Sequence, residues 1–159
     1  SLAEQTVDKI AKLKHLKLPA CRTGDTLLPG AQGLEQAERQ LRDMPALSKE
    51  GVKRLLSIYG GRAAEICDLA QDDDQLARTL DPAATVLAAE MVFAVRSEFA
   101  RTLADIVYRR CMLGLDNDQG RPLYAAIADI AAAELGWDAS EKNRQLDALL
   151  EFSDSLRIT

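Results

Sequence analysis

The sequence predicts an all-α protein, a compact multi-helix bundle around one long buried helix from about 83 to 113. Three observations carry this. Apolar residues recur at three- and four-residue spacing along much of the 159-residue chain, the signature of amphipathic helices. No stretch alternates apolar and polar with period two, and no β-branched run is bounded by hairpin turns. Proline, glycine and short polar residues punctuate the periodic segments where helices start and stop.

The elements follow in order. "AEQTVDKIAKLKHL" spaces Val7, Ile10, Leu13 and Leu16 three apart and ends before Pro19. "LPACRTGDTLLPGAQG" reads as an extended connector, long enough that it must lie against another surface. "GLEQAERQLRDM" is a short helix stopped by Pro45. "SKEGVKRLLSIYGG" starts at Ser48 as N-cap and closes at Gly60–Gly61. "RAAEICDLAQ" runs to Asp72–Asp74, and "DQLARTL" is a short helix before Pro82. Pro122 opens "PLYAAIADIAAAELG", which Gly136 ends, and Ser140 caps "SEKNRQLDALLEF".

The long helix carries the main puzzle. Val92, Val95, Phe99, Leu103, Ile106, Val107 and Leu113 fill one arc, while Phe93, Ala100, Ala104 and Cys111 line nearly the opposite side. Such a helix is flanked on both faces by others. Yet it also bears Glu90, Arg96, Glu98, Arg101, Asp105, Arg109 and Arg110. Glu98, Thr102, Asp105 and Arg109 form a stripe on this helix, and Asp105–Arg109 is an i, i+4 pair in the acid-first order. Arg110 falls inside the apolar arc and requires a partner from another helix. Two readings stand: a structural ion-pair network of Glu98, Asp105, Arg109 and Arg110 that fixes the bundle's register, or a catalytic acid–base pair. The second lacks an adjacent histidine, nucleophile or metal ligand set.

Bulk properties narrow the function classes. The net charge of −5 disfavours a nucleic-acid partner. Three cysteines, Cys21, Cys67 and Cys111, without a Cys-x-x-Cys, fit a reduced, cytoplasmic setting. With one histidine, His15, no Glu-x-x-His di-iron pair can form. "DNDQG" resembles the start of a calcium loop, but its glycine comes one position early and Ile127 stands where the bidentate glutamate belongs. Lys9, Lys12, Lys14 and Lys17 form the wet face of the first helix, or a basic face for anionic lipid or an acidic partner. No glycine-rich phosphate loop occurs. The opening "SLAEQTVDKI" has no methionine or leader pattern and points to a fragment of a longer chain.

"AAEMVFAVRSEFARTLADIVYRRCMLGL" resembles the signature helix of the C-terminal domain of FAD-dependent glycerol-3-phosphate dehydrogenases and α-glycerophosphate oxidases. The matching positions are Ala89–Glu90, Glu98, Thr102–Leu103, Asp105 and Arg109–Arg110; Cys111 replaces the usual threonine. "CRTGDTLLPGA", "YGGRAAEI" and "AAIADIAAAELGWD" resemble further segments of that domain in the same order. The resemblance implies a parent enzyme that oxidises sn-glycerol 3-phosphate to dihydroxyacetone phosphate with FAD, in the cytoplasm or peripheral at the inner face of the cell membrane. It implies that residues 1–33 are an N-terminal helix and connector from a flavin domain, and 34–159 a helical C-terminal cap domain. It carries over no catalytic, cofactor-binding or metal-binding residue, so the chain alone is expected to be inactive. Its partners would be its own flavin domain and, in a homo-oligomer, further copies. The alternative is an independent helical protein-interaction or oligomerisation module.

Overall fold

Seven α-helices form among the described residues, 1–156 of the computed structural model. They are α1 (Leu2–Leu13), α2 (Leu34–Arg42), α3 (Lys49–Tyr59), α4 (Ala63–Asp72), α5 (Ala88–Arg96), α6 (Tyr124–Leu135) and α7 (Ala139–Ser155). The all-α expectation holds: the described residues contain no strand, only an isolated bridge between Thr79 and Leu87.

The core is two apolar clusters that share α5. Every residue from Ala88 to Val95 is buried. Ala89 and Phe93, with Leu87, face Leu41, Leu55, Ala63 and Ile66 of α2, α3 and α4. Met91, Ala94 and Val95 face Leu103, Ile106, Ile127, Ala131 and Leu149 on the other side. α5 is thus the wall between two half-bundles, and apolar burial on both faces fixes it there.

The single long helix expected over 83–113 does not form. Ala83–Leu87 is irregular, with Ala84 left-handed and Leu87 extended. Helix α5 begins only where the Glu90 carboxylate accepts the Leu87 N–H at 2.9 Å. It ends at Arg96, and Phe99 adopts φ +59°. A second start follows at once. The Thr102 hydroxyl accepts the Asp105 N–H at 3.1 Å, and the Asp105 carboxylate accepts the N–H groups of Arg101 and Thr102. This reciprocal cap, Thr-x-x-Asp, satisfies donors that a continuous helix would have paired internally. The turn it opens is π-helical over Asp105–Arg110, with the Cys111 N–H reaching the Ile106 carbonyl at 2.9 Å. Phe99, expected in the buried arc, is instead 74% exposed.

Smaller corrections have equally local causes. "DQLARTL" is turns and bends rather than a helix, because Leu80 and Ala88 donate to the carbonyls of Val86 and Arg78. Asp138, not Ser140, caps α7, accepting the Glu141 N–H at 2.8 Å. Ser48 does cap α3, its hydroxyl accepting the Gly51 N–H.

The connector closes onto the end of α3. The Gly61 N–H donates to the Gly30 carbonyl at 2.8 Å. Gly30 and Gly60 both have positive φ, and a Cβ at Gly61 would overlap the Gln32 carbonyl. Two glycine-bearing segments, "LPGAQG" and "YGGR", meet with no room for side chains. Helix α1 lies beyond this seam, with Ala11 its one buried residue.

Candidate functional site

Two charged centres lie on either side of the break that follows α5. The inner one is built on Glu90, which is fully buried. Arg54 of α3 donates to both Glu90 oxygens, at 2.9 and 2.8 Å, and to the Cys111 carbonyl at 2.7 Å. The Tyr59 hydroxyl lies 3.3 Å from Glu90 and 3.5 Å from the Cys111 thiol. Helical spacing puts this tyrosine in place: Val52, Leu55 and Tyr59 are the buried stripe of α3, and Arg54 flanks it. The cluster ties α3, the start of α5 and the end of the π-helical turn at one point.

Burial and pairing shift every titratable group of the inner centre. Burial raises the Glu90 carboxyl, while the Arg54 charge and hydrogen bonds, the Leu87 N–H and the Tyr59 hydroxyl draw it back. Burial would lower Arg54, but Glu90 outweighs it and holds the guanidinium charged. Burial pushes the Cys111 thiol and the Tyr59 hydroxyl well above their ordinary ranges, so neither ionises near neutrality. A protonated thiol without solvent access is no nucleophile. The centre holds backbone together.

The outer centre is an open cleft of about 370 Å³ between the ends of α3 and α5 and the π-helical turn. Its walls carry Tyr59, Arg62, Glu98, Arg109, Arg110 and Met112. Arg62 donates to Glu98 at 3.0 Å and to Glu65 at 3.0 Å, and its guanidinium stacks 4.7 Å from the Phe93 ring centre. Arg110 donates through Nε to the Glu98 carbonyl at 2.9 Å, and lies 4.0 Å from the Glu98 carboxylate. Arg109 pairs with Asp105 within the π-helical turn. Burial would raise Asp105, but donors from Arg101, Thr102 and Arg109 outweigh it and hold the carboxyl below its ordinary value.

The four residues singled out in the sequence therefore fall near one another, but not on one helical stripe. Glu98 lies just past the end of α5, and Asp105, Arg109 and Arg110 lie in the π-helical turn beyond the break. Sequence reasoning named no role for Arg54, Tyr59 or the Glu90 that joins them. One signal was available: an acid inside "AAEMVFAV", a run buried on every side, requires a cation from elsewhere. The break itself was legible as Thr102-x-x-Asp105, a helix-start pattern inside an otherwise helical run.

Other sequence candidates resolve more simply. Asp118 accepts the Gly120 N–H at 2.9 Å, so "DNDQG" is a hydrogen-bonded turn. Among the described residues no group of three or more His, Cys, Asp or Glu side chains is placed to hold a metal ion. No helix of the described residues is long and apolar enough to cross a membrane. The described residues contain no strand–glycine turn–helix unit of the kind that cradles a dinucleotide's pyrophosphate.

A family model for the C-terminal domain of alpha-glycerophosphate oxidase matches residues 21–142. The chain belongs to this family. Curated relatives extend the match to both ends. A glycerol-3-phosphate dehydrogenase of Synechocystis sp. is 28% identical over 156 residues, covering 96% of this chain and 28% of the relative. A mitochondrial glycerol-3-phosphate dehydrogenase of Arabidopsis thaliana is 27% identical over 99% of this chain and 28% of its own length. That of Mesocricetus auratus is 27% identical over 96% of this chain and 22% of its own. The chain thus spans about a quarter of the length of these relatives. No solved structure matches it.

Proposed function

We propose that this domain is the non-catalytic, helical C-terminal part of an FAD-dependent glycerol-3-phosphate dehydrogenase, a parent that oxidises sn-glycerol 3-phosphate to dihydroxyacetone phosphate. One observation carries the reading: relatives named for that activity align with nearly all of the chain, while the chain is about a quarter of their length. FAD and the hydride-transferring residues belong to the upstream part, together with whatever attaches the parent to the cell membrane. The domain's own charges, Glu98, Asp105, Arg109 and Arg110, act in the packing of helices and domains.

Residues 1–33 are the joint to that upstream part. The family match begins at residue 21, whereas the relatives align further toward the N-terminus. Along this arm Val7, Ile10, Leu13, Leu16, Leu27 and Leu28 are all more than half exposed. With Leu2 and Leu18 they make eight large apolar side chains, which is what a helix and connector expose when their packing surface belongs to another domain.

The test is direct. The purified 159-residue chain is mixed with FAD, glycerol 3-phosphate and an artificial electron acceptor. No flavin is retained and no acceptor is reduced; the polypeptide extended through its upstream region does both. Turnover by the short chain, or an upstream region without a flavin-binding fingerprint, contradicts the proposal.

A further inference from the structure

The N-terminal arm is bonded to the bundle at one seam. Among the described residues, the hydrogen bonds of residues 1–27 stay inside that segment, as does the ion pair of the Ser1 ammonium with Glu4. Neither apolar cluster includes a buried residue before Ala37. Helix α1 is closed instead by its own continuation. The Leu16 N–H reaches the Ala11 carbonyl at 2.9 Å, and Leu18, Pro19 and Thr23 share a groove of about 260 Å³ with Ala3 and Val7.

The seam is built as a buckle. Leu28–Ala31 is a β-turn closed by the Ala31 N–H on the Leu28 carbonyl at 3.0 Å, with Pro29 and Gly30 at its centre and Gly30 at φ +86°. Proline followed by a positive-φ glycine is the type II pattern. The turn lies on the end of α3, where the Gly61 N–H donates to the Gly30 carbonyl at 2.8 Å. A Cβ at Gly30 would crowd the Tyr59 carbonyl, one at Gly60 that of Gly30, and one at Gly61 that of Gln32. Backbone packed on backbone, with no side chain between, makes a close and unforgiving contact.

Just ahead of the buckle the chain is free. Arg22–Thr26 is a local turn, held by the Asp25 N–H and the Thr26 hydroxyl on the Arg22 carbonyl. Leu27 stands between the two turns. Its backbone shares no hydrogen bond with any described residue, and its side chain is 62% exposed. A segment with few buried contacts and a solvated backbone is where a chain opens at least cost.

We propose that residues 1–26 move as one arm that swings about Leu27, while residues 28–33 stay fixed on the bundle through the Gly30–Gly61 seam. The inference rests on the reading of residues 1–33 as a joint, and adds where that joint turns. A pivot at Leu27 lets α1 follow a neighbouring domain without pulling on α2 or α3.

Amide residual dipolar couplings of the 159-residue chain in a weakly aligning medium test the pivot. The couplings of α2 through α7 fit one alignment tensor, and those of α1 require a second, scaled down about twofold by the swing. One tensor of full size for α1 and the bundle together overturns the inference.

Gly61→Ala tests the buckle. The added Cβ pushes Gln32 off the end of α3, so amide exchange at residues 31 and 61 accelerates about tenfold while α4–α6 keep their protection. Gly24→Ala, in the same connector but where a Cβ meets nothing within 4 Å, leaves both amides unchanged. Exchange unmoved by Gly61→Ala, or moved equally by Gly24→Ala, overturns the seam as the fixed point. The couplings need no variant, so they decide the pivot even where Gly61→Ala does not fold. A rigid arm leaves the functional reading intact; that reading falls instead if the polypeptide extended upstream retains no flavin.

Discussion

Glu90 and Glu98 lie eight residues apart in the same signature segment, each faces an arginine from the α3–α4 region, and they do different things. Glu90 is fully buried, accepts from Arg54, Tyr59 and the Leu87 N–H, and stands at the start of a helix it caps. Glu98 lies beyond that helix's end, shares its charge between Arg62 and a more distant Arg110, and borders an open cleft. The difference teaches that position relative to the helix break, rather than residue type, sorts these charges. Glu90, inside the helix, is sealed in with compensating donors. Glu98, past its end, borders an open cleft and stays within reach of solvent.

The largest effect expected is at the inner centre. Arg54→Met or Glu90→Leu alone strands a buried charge and destabilises by roughly 3–5 kcal/mol, whereas breaking an exposed pair such as Arg144–Glu141 changes stability little. Chemical denaturation checks it, and the double replacement recovers much of the loss because no charge is left unpaired. Equal losses at Arg54 and Arg144 would erase the comparison.

Arg62→Ala comes next. It removes the Glu98 and Glu65 partners and the stack on Phe93, for a loss of about 1–2 kcal/mol. Asp105→Ala is smaller, about 1 kcal/mol, because what goes is the reciprocal cap with Thr102 that restarts the helix. Asp105→Asn lowers the melting temperature by less.

The pH dependence sharpens the same contrast from a third site. Burial would raise the Asp81 carboxyl, but hydrogen bonds from the Val86 N–H and the Thr85 hydroxyl and N–H outweigh it and hold it low. A carboxyl depressed in the folded state contributes stability above its unfolded pKa, about 3.9, and loses it as pH falls through the folded value. Stability therefore declines on acidification below about pH 4, and Asp81→Asn flattens that limb. An unchanged acid limb in this variant would show that other carboxyls dominate it.

Legibility in the sequence follows physical range. Helix existence came from apolar period, and Ser48 and Gly136 marked boundaries because caps and left-handed ends act within one turn; Pro122, expected to open α6, lies in the 3₁₀ turn just before it, and the helix starts at Tyr124. The continuous helix over 83–113 was misread because apolar spacing outvoted a local restart at Thr102-x-x-Asp105, and because the two halves keep burying apolar residues across the break. Arg54–Glu90 was out of reach for another reason. Its partners are 36 residues apart on different helices, and only the packing of α3 on α5 brings them together. The seam of Gly30 with Gly61 is of the same kind: both glycines were visible, but their meeting was not.

A double-mutant cycle at each centre, Arg54/Glu90 and Arg62/Glu98, tests the central claim most directly. Coupling well above about 2 kcal/mol at the inner pair and below about 1 kcal/mol at the outer pair is the predicted result. Equal couplings, or the larger one at Glu98, would contradict the division between a sealed structural centre and an outward-facing one.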